Sequence, residues 1–282
     1  MGTISLDYTA PDSTLKEFVS VFYDFRAEVP HFSDDERADL AQLRFLLSGR
    51  GTYRFADGHV QPGGAIHLVG PTTAPSHIEV EGPVHVFGVG ILPAGWGTMI
   101  GIEASAVVNR VLCAVELFGP ELRQVAARLR AAETVAERAA IGNRLIRDLV
   151  ARGGEQPRWF TRTVDAWLAE SMNPDLDVLV QRTGLSRRQI ERYCKRFYGA
   201  PPKLLARKYR ALRAAVILAR GQATTADLLD HGFYDQSHCI REIKRFTGVT
   251  PTRIAGELPE LTRLTLRRTD FAGQLAPLVA ET

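Results

Sequence analysis

One pattern of residues is written twice in this chain, 49 residues apart, and it constrains the fold more than any other feature. Each copy predicts a short helix, a tight turn, and a second, basic helix that ends in Phe-x-Gly-x-x-Pro. Two such units in succession predict a duplicated helix-turn-helix. The matched positions are Ser186 and Asp235, Ile190 and Cys239, Arg192 and Arg241, Lys195-Arg196-Phe197 and Lys244-Arg245-Phe246, Gly199 and Gly248, and Pro202 and Pro251.

The second helix of each unit is marked by a capping residue and an apolar stripe. In the first copy Ser186 is the predicted N-cap, and Gln189, three residues later, completes a capping box. In the second copy Asp235 is the predicted cap, and residues 225–231 are the predicted first helix. Residues at i, i+4 and i+7 share one helix face, so both stripes are expected to point inward. The stripes are Ile190, Cys194 and Phe197 in the first copy, and Cys239, Ile243 and Phe246 in the second.

The opposite faces of these two helices carry the predicted DNA-binding residues. An α-helix fits the major groove, where Arg can donate a bidentate pair to guanine O6 and N7. Arg188 and Arg192, one turn apart, are therefore the predicted base contacts, and Gln236 is predicted to pair with adenine. The other cations on the basic helix of the first copy are predicted to bind phosphates, and Arg241 is predicted to bind guanine or phosphate. The full predicted set is Arg187, Arg188, Arg192, Lys195, Arg196, Gln236, Ser237, Arg241 and Lys244.

The charge of the chain is unevenly distributed. Residues 158–268 contain 21 Lys and Arg against 11 Asp and Glu, a net charge of +10. The whole chain has a formal net charge of +3, so the remaining residues carry −7. A basic segment inside a near-neutral chain is typical of a polyanion-binding domain. A solvated basic surface is the alternative, but a stripe and a basic face that occur together twice favour DNA binding.

The most specific run in the chain is Gly232-Phe233-Tyr234-Asp235-Gln236-Ser237-His238, which leads to Phe246-x-Gly-x-x-Pro251. With Gly184-Leu185-Ser186, and with Gly199 before Pro202, it makes residues 158–255 resemble the DNA-binding domain of AraC/XylS-type transcriptional regulators. The resemblance implies two helix-turn-helix units on a rigid connecting helix, which enter major-groove segments about 34 Å apart. The positions that match DNA contacts in such proteins are Arg188, Arg192, Gln236, Ser237 and Arg241.

Residues 40–89 carry the signals of short β-strands. Asp57-Gly58 and Pro62-Gly63-Gly64 are strong turns between alternating segments. Regularly spaced short strands predict a small barrel or sandwich. The acidic residues 33–39 are predicted to form a loop, and residues 15–25 fit either a helix or a strand. Strands followed by two helices are similar to the cupin-like effector domains of the same family, so the predicted fold class is α+β, a small β-barrel or cupin-like domain before the all-α domain.

The interior of this β domain is the predicted place for a small-molecule effector. Its candidate lining residues are Tyr53, Phe55, Phe87 and Trp96. The same region contains four histidines, His59, His67, His77 and His85. They do not form the His-x-His pair of metal-binding cupins, so neither a metal site nor a cofactor is predicted. A purely structural role, or binding of a protein partner, is the alternative for this domain.

Two helices are predicted after the strands, over residues 121–132 and 134–151, and Thr134 to Glu137 form a capping box. Their apolar stripe is predicted either to pack on the β domain or to form a homodimer interface. Residues 152–157, with two glycines and a proline, form the predicted linker. The predicted division is residues 1–119 for the effector domain, 120–151 for the helical pair, 152–157 for the linker, 158–257 for the DNA-binding domain and 258–282 for a tail with weak signals.

Several classes of protein are excluded by what the sequence lacks. The three cysteines, Cys113, Cys194 and Cys239, form no CxxC pair, so neither a disulfide framework nor a zinc knuckle is expected. No P-loop, HExxH or GxSxG motif occurs, so no enzyme activity is predicted. No apolar run reaches the ~18 residues of a membrane span, and the N-terminus lacks a signal-peptide pattern, so a cytoplasmic location is expected.

These features predict a transcription regulator of the AraC type that binds promoter or operator DNA and responds to an unidentified small molecule. RNA polymerase is an expected partner if the protein activates transcription. The alternative is a ligand-independent regulator whose N-terminal domain only dimerises or binds a protein partner. A metal-cupin enzyme is the third alternative.

Overall fold

The computed structural model describes residues 3–229, 232–271, 273–275 and 277–280. Its N-terminal part is built on one antiparallel sheet, which confirms the predicted β-rich domain. The strands of this sheet are β1 (Ile4–Thr9), β2 (Val19–Ala27), β3 (His31–Glu36), β4 (Ala41–Arg54), β5 (Val60–Gly63), β6 (Ile66–Val69), β7 (Ser76–Ile91) and β8 (Val111–Cys113). Neighbouring strands follow the order β1-β2-β7-β4-β6-β8, with β3 beside β7 and β5 beside β4. The strand alternative for residues 15–25 is the correct one, because β2 covers most of that segment.

The sheet curves around an interior because its two longest strands, β4 and β7, each pair with different strands along their two halves. The first half of β7 pairs with β3 and with the second half of β4, whereas its second half pairs with β2 and with the first half of β4. The register between β4 and β7 shifts on both sides of Ser48, which bends the pair. The predicted barrel is corrected in one respect. The sheet remains open, with β1 and β8 as edge strands within the described residues.

The prediction of a loop over the acidic residues 33–39 is wrong, because β3 pairs with β7 along most of that segment. Tertiary partners offset the poor strand propensity of these acidic residues. Asp34 accepts the backbone N–H of Leu261 at 2.8 Å. Glu36 forms an ion pair with the buried Arg44. Local composition could not reveal either partner.

Four helices accompany the sheet. They are α1 (Pro93–Met99), α2 (Ala114–Phe118), α3 (Leu122–Ala131) and α4 (Val135–Arg152). The last two are the predicted helical pair, and the predicted capping box between Thr134 and Glu137 opens α4. Their position at the end of the β domain places α4 directly before the C-terminal helices.

The apolar stripe of α3 and α4 packs on the β domain. Leu145, Ile146 and Leu149 are buried in the core beneath the sheet. Arg138 of α4 also donates to Asp24 of β2 at 2.5 Å, and both side chains are buried. The outward face is polar, with Gln124, Arg128, Arg144, Arg147 and Asp148 exposed. Packing on the β domain therefore accounts for the stripe, and the dimer alternative receives no support from it.

Residues 153–157 separate α4 from the C-terminal helices. These helices are α5 (Arg158–Glu170), α6 (Leu176–Thr183), α7 (Arg187–Tyr198), α8 (Pro202–Ala219), α9 (Gln236–Thr247), α10 (Pro251–Ala255), α11 (Glu260–Leu266) and α12 (Pro277–Ala280). The helix predicted over residues 225–231 is a series of turns up to Leu229, and its last two residues lie outside the described residues. Thr224 and Asp227 cap each other there, since Asp227 accepts the Thr224 N–H at 2.8 Å. No helix in the described part of the chain is long and apolar enough to cross a membrane.

The C-terminal tail, for which the sequence gives weak signals, folds back onto both parts of the protein. Leu261 and Leu264 of α11 are buried in a cluster with residues of β1, β2 and β7. Leu275 and Val279 pack near β2 and the start of α1. Leu278 lies in the core of the first helix-turn-helix unit. The tail therefore joins the β domain to the helical domain.

Candidate nucleic-acid interface and ligand cavity

α7 and α9 begin and end where their capping residues predict. The side chain of Ser186 accepts the N–H of Gln189 at 3.4 Å, and the Gln189 side chain accepts the N–H of Ser186 at 2.9 Å. Asp235 accepts a backbone N–H of the first turn of α9 at 2.6 Å. Gly199 and Gly248 end the two helices with φ angles of 80° and 79°, a left-handed conformation that favours glycine. The sequence signals therefore fix both helices locally.

Both predicted apolar stripes are buried, and no member is more than 2% exposed. The first stripe packs against Phe160 and Trp167 of α5. In the second, Cys239 and Ile243 pack against α8 and Phe233. Burial of a large apolar side chain stabilises by about 1.5–3 kcal/mol, so these stripes decide which face of each helix points outward.

All nine predicted DNA-contacting residues are exposed on α7 and α9. Arg187 and Lys195 form ion pairs with acidic residues of their own unit. Arg188 and Arg192, the predicted base contacts, have no ion-pair partner within the described part of the chain. The structure adds Tyr234, which precedes the α9 cap and is 92% exposed. Its place in the most specific run of the sequence was the signal that could have identified it.

Three arginines of α8 tie the two units together. Arg207 donates to both carboxylate oxygens of Glu242 in α9, at 2.7 and 2.6 Å. Arg210 donates to Asn173, between α5 and α6, at 2.8 Å. Arg213 donates at 2.6 Å to a backbone carbonyl near the end of α5. Contacts on both sides of α8 therefore hold the two units in a fixed relation.

Replacing Glu242 with Gln is expected to lower the free energy of unfolding by about 1–2 kcal/mol, because its hydrogen bonds to Arg207 lose their charge-assisted character. Burial alone would raise the pKa of this carboxyl, but the hydrogen bonds and charge of Arg207 outweigh burial and hold the pKa of Glu242 below its ordinary value. Urea denaturation at neutral pH measures the change. The control is Glu191→Gln, which removes an exposed pair with Lys195 and should cost less than about 0.5 kcal/mol. Equal losses of stability in the two variants would show that the Arg207–Glu242 hydrogen bonds contribute no more than an exposed ion pair.

A cavity of about 90 Å³ lies inside the curved sheet. One wall is apolar and comes from β1, β2, β4 and β7, with Leu261 of α11 beside it. The apolar strand residues of this wall are Leu6, Phe25, Leu46, Ile78, Val80 and Val86. The opposite wall is polar. The described residues contain no cluster of His, Cys, Asp or Glu that could hold a metal ion.

The polar wall is organised by the side chain of Arg44, which is 9% exposed. Its Nε donates to the Tyr23 hydroxyl at 2.8 Å, and its Nη1 donates to the Tyr53 hydroxyl at 2.8 Å. Its Nη2 donates to Glu36 and, at 2.6 Å, to Gln42. Every nitrogen of the guanidinium therefore has a partner in the wall.

Tyr53 extends this network to His67. Its hydroxyl lies 2.8 Å from His67 Nε2, and Nδ1 of the same ring lies 2.7 Å from the carbonyl oxygen of Gly64. A carbonyl only accepts, so Nδ1 carries the proton and Nε2 accepts from Tyr53. Burial, followed by the charge of Arg44, lowers the pKa of His67 to about 4. The imidazole is therefore neutral at neutral pH.

Of the four predicted lining residues, the cavity includes Tyr53 and excludes the other three. Phe55 stacks on Tyr53 at a centroid distance of 6.2 Å and lies behind it. Phe87 and Trp96 belong to the core between the sheet and the helices. Their size correctly indicates burial, but it does not distinguish a cavity wall from a filled core. The missed signal was Arg44, a charged residue between two apolar neighbours in a strand.

Asp39 connects the cavity wall to the helical domain. Its carboxylate accepts from Arg268 of the tail at 3.0 Å, and its backbone oxygen accepts from Nζ of Lys208 in α8 at 2.7 Å. Lys208 also donates to the carbonyl of Thr72 at 2.8 Å and is only 4% exposed. Burial lowers the pKa of Lys208 to about 7. The cavity, the tail and the connecting helix therefore meet at one residue.

One family model matches the region that contains the two capped helices. Residues 179–256 match the family model described as a helix-turn-helix domain. No curated protein matches the chain. Among solved structures, apo ToxT from Vibrio cholerae is 8% identical, with a TM-score of 0.45 over 82% of this chain and 98% of that chain. ToxT bound to an unsaturated fatty acid is 10% identical, with a TM-score of 0.45 over 85% and 95%.

The AraC-like transcriptional activator CuxR is 17% identical, with a TM-score of 0.34 over 74% of this chain and 86% of that chain. The match to the family model covers α7, α8 and α9. It thus includes both capped helices, their buried stripes and the helix that connects them. Residues 179–256 of this chain are therefore a helix-turn-helix domain, as the duplicated pattern in the sequence predicts.

Proposed function

We propose that this protein is a transcription regulator that reads a promoter site with α7 and α9 and responds to a small molecule held in the cavity. The observation that carries the proposal is the same arrangement on two helices, a capped start, a buried stripe and an exposed polar face. Such an arrangement presents polar side chains to the major groove while the apolar side chains of the same helix remain in the core. The fixed position of α8 supports the simultaneous engagement of both helices.

The two helices are proposed to read unequal halves of an asymmetric site. The outer face of α7 carries five of the predicted cations, whereas that of α9 carries Arg241 and Lys244. Phosphate contacts dominate affinity and base contacts provide specificity, so α7 would supply most of the electrostatic attraction. On α9, Gln236 and Ser237 would read bases, and the exposed ring of Tyr234 offers an apolar contact to a thymine methyl group.

The proposed response passes from the cavity to the DNA-binding domain through Asp39. This residue lines the cavity with its side chain and holds Lys208 of α8 with its backbone oxygen. A second interdomain hydrogen bond runs beside it, from the Ala38 N–H to the carbonyl of Phe246 in α9 at 2.8 Å. A ligand that moves this segment would change how tightly the β domain holds α8 and α9. The differential fit of the ligand to the two states would then set the size of the response.

The regulator would act in the cytoplasm without catalytic activity, and RNA polymerase is its proposed partner if it activates transcription. A homodimer through residues 121–151 has little apolar surface available, because no large hydrophobic residue of α3 or α4 is exposed among the described residues. Single copies bound to asymmetric sites are therefore the simpler expectation.

DNA binding is expected to weaken steeply with salt. If about four to six of the exposed cations contact phosphates, log K should fall against log salt with a slope of about −4 to −5. Fluorescence anisotropy with labelled duplexes between low and physiological salt measures this slope. A flat dependence would show that the basic faces do not contact the phosphate backbone.

Capture of sheared genomic DNA by the purified full-length protein tests the proposal as a whole. Sequencing of the captured fragments should return a small set of promoter-proximal sites that share one asymmetric motif. The same capture with an Arg188→Ala/Arg192→Ala variant provides the background. Identical fragments from both proteins, or fragments without a shared motif, would overturn the proposed sequence-specific role.

A further inference from the structure

We infer that the cavity of the β domain selects an uncharged, largely apolar small molecule and discriminates against carboxylates and ammonium ions. The inference rests on the proposed effector role of the cavity and concerns the chemistry that the cavity accepts. The supporting observation is that the hydrogen-bonding groups and the charges of the polar wall are already paired with one another.

The guanidinium that a carboxylate would need is already engaged. Arg44 donates through all three of its nitrogens, and its charge faces the carboxylate of Glu36. The hydroxyls of Tyr23 and Tyr53 each accept from Arg44, and they lie 2.7 Å from Gln42 and 2.8 Å from His67 respectively. An anionic ligand would have to compete with Glu36 for the charge of Arg44, and displacing Glu36 would leave that carboxylate buried without a partner.

Each of the four charged side chains that line the cavity has a partner of opposite charge. Glu36 faces Arg44, and Asp39 faces Arg268 at 3.0 Å, with Arg37, which is not part of the lining, 3.8 Å from Asp39. All four side chains are less than 15% exposed, so little water is available to screen an additional charge. His67 lies in the same wall, and its ring is neutral for the reasons given above. The lining therefore presents two carboxylates and two guanidiniums with no net charge.

The rest of the lining is largely apolar, and residues of the tail contribute to it. Leu261 and Thr265 of α11 also line the cavity. The capped N-terminus of α11, where Asp34 accepts the N–H of Leu261, keeps this helix in place. A ligand in this space would contact aliphatic side chains and the tyrosine rings, and would gain mainly from burial of its own apolar surface.

A charged ligand would meet a large desolvation penalty in such a site. Taking an ion out of water is costly unless a partner of opposite charge remains available to it. The charged groups of the lining are already paired with one another, so an added carboxylate or ammonium would find no unpaired ion of opposite charge among them. An amide or alcohol of the same shape would avoid this penalty.

Matched aromatic probes test this selectivity on the full-length protein. Fluorine NMR can measure the binding of para-fluorobenzamide, para-fluorobenzoate and para-fluorobenzylammonium, which share a ring and differ mainly in the charge of the substituent. The amide is expected to bind at least about tenfold more tightly than either ion. Benzoate or ammonium binding as tight as that of the amide would overturn the inference.

A charge change in the wall provides a sharper test. Replacing Glu36 with Gln keeps the shape of the side chain but leaves the Arg44 charge uncompensated, so the preference should shift towards the benzoate by at least about tenfold. The matched control is Glu28→Gln, the same change at an exposed residue that is absent from the cavity lining. It should retain the wild-type preference. An equal shift in both variants, or no shift in either, would contradict the assignment of Glu36.

Failure of the inference and failure of the proposed function give different results. If none of the probes binds up to its solubility limit while the protein still captures specific DNA, the ligand inference fails and the regulator proposal stands. If the probes bind as expected but no specific DNA is captured, the regulator proposal fails and the ligand inference stands. The wild-type comparison needs no variant, so it remains decisive even if Glu36→Gln impairs folding.

Discussion

A protein that carries Arg188→Ala and Arg192→Ala is expected to lose most of its affinity for its specific DNA site while remaining folded. Each bidentate contact to a base is worth about 1–3 kcal/mol, so the pair should cost about 2–6 kcal/mol if the effects add. That loss corresponds to a weakening of roughly 30-fold to 20,000-fold. Both side chains are exposed, so their removal leaves the buried stripe of α7 intact. Fluorescence anisotropy on a captured duplex measures the change.

The matched control removes two exposed arginines of the β domain, through Arg123→Ala and Arg144→Ala on α3 and α4. It changes the net charge by the same amount but should leave the affinity within a few fold of wild type. Random DNA distinguishes base contacts from phosphate contacts. If Arg188→Ala/Arg192→Ala loses the same factor on random DNA as on the captured site, the two arginines hold only phosphates, and the proposed base readout is wrong.

The DNA-binding helices could be predicted from the sequence because their signals are local. Ser186 and Gln189 form a capping box within one turn, and Gly199 adopts the left-handed conformation one residue after α7 ends. Each stripe repeats at helical spacing inside a single helix. The prediction failed only at the first helix of the second unit, where the described residues up to Leu229 form turns. A capped turn, in which Asp227 accepts the Thr224 N–H, begins the described part of that segment.

The features that depend on distant partners could not be predicted. Asp34 lies 227 residues from Leu261, whose N–H it accepts, so neither the strand β3 nor the tail helix was visible in its own composition. Phe87 and Trp96 were correctly expected to be buried, but only the fold shows that they fill a core rather than line the cavity. Arg44 was missed because a charged residue in a strand is usually exposed.

Lys208 is a further residue whose role only the fold shows. It belongs to a basic helix, where lysines are usually solvated, and Lys203 on the same helix is indeed exposed. Lys208 is instead buried against the β domain, 169 residues from Asp39, whose backbone oxygen it contacts. The contact between the two domains therefore includes a cation that the sequence assigns to no site.

The pKa of Lys208 makes this contact dependent on pH. Burial lowers the pKa from 10.5 to about 7, with Asp39 opposing the shift and Arg37 and Arg268 adding to it. An amine whose pKa is lower in the docked state binds fewer protons there than in the undocked state. Docking should therefore strengthen as pH rises from about 7 towards 10.5, by up to about 1.4 kcal/mol per pH unit, and should not change with this group below about pH 7, where the amine is protonated in both states. A Lys208→Met variant should lose this dependence.

Replacing Lys208 with Glu is expected to open the contact between the domains without unfolding α7. A carboxylate at this position would lie against the carbonyls of Asp39 and Thr72 and close to the Asp39 carboxylate, so the cost should be about 3–5 kcal/mol. The amide of Ala38 reports the opening directly, since it donates to Phe246 across the contact at 2.8 Å. Its hydrogen exchange should accelerate by at least about a hundredfold.

The matched control is Lys203→Glu, which makes the same charge change at an exposed position of α8 and should leave the Ala38 exchange rate unchanged. The amides of α7 should remain protected in both variants, because its apolar stripe packs on α5 within the first unit. Unchanged protection of Ala38 in Lys208→Glu would show that the amine does not hold the domains together. Accelerated exchange in α7 as well would show that the domains unfold as one unit, and Asp39 could then not serve as a joint between the cavity and the DNA-binding helices.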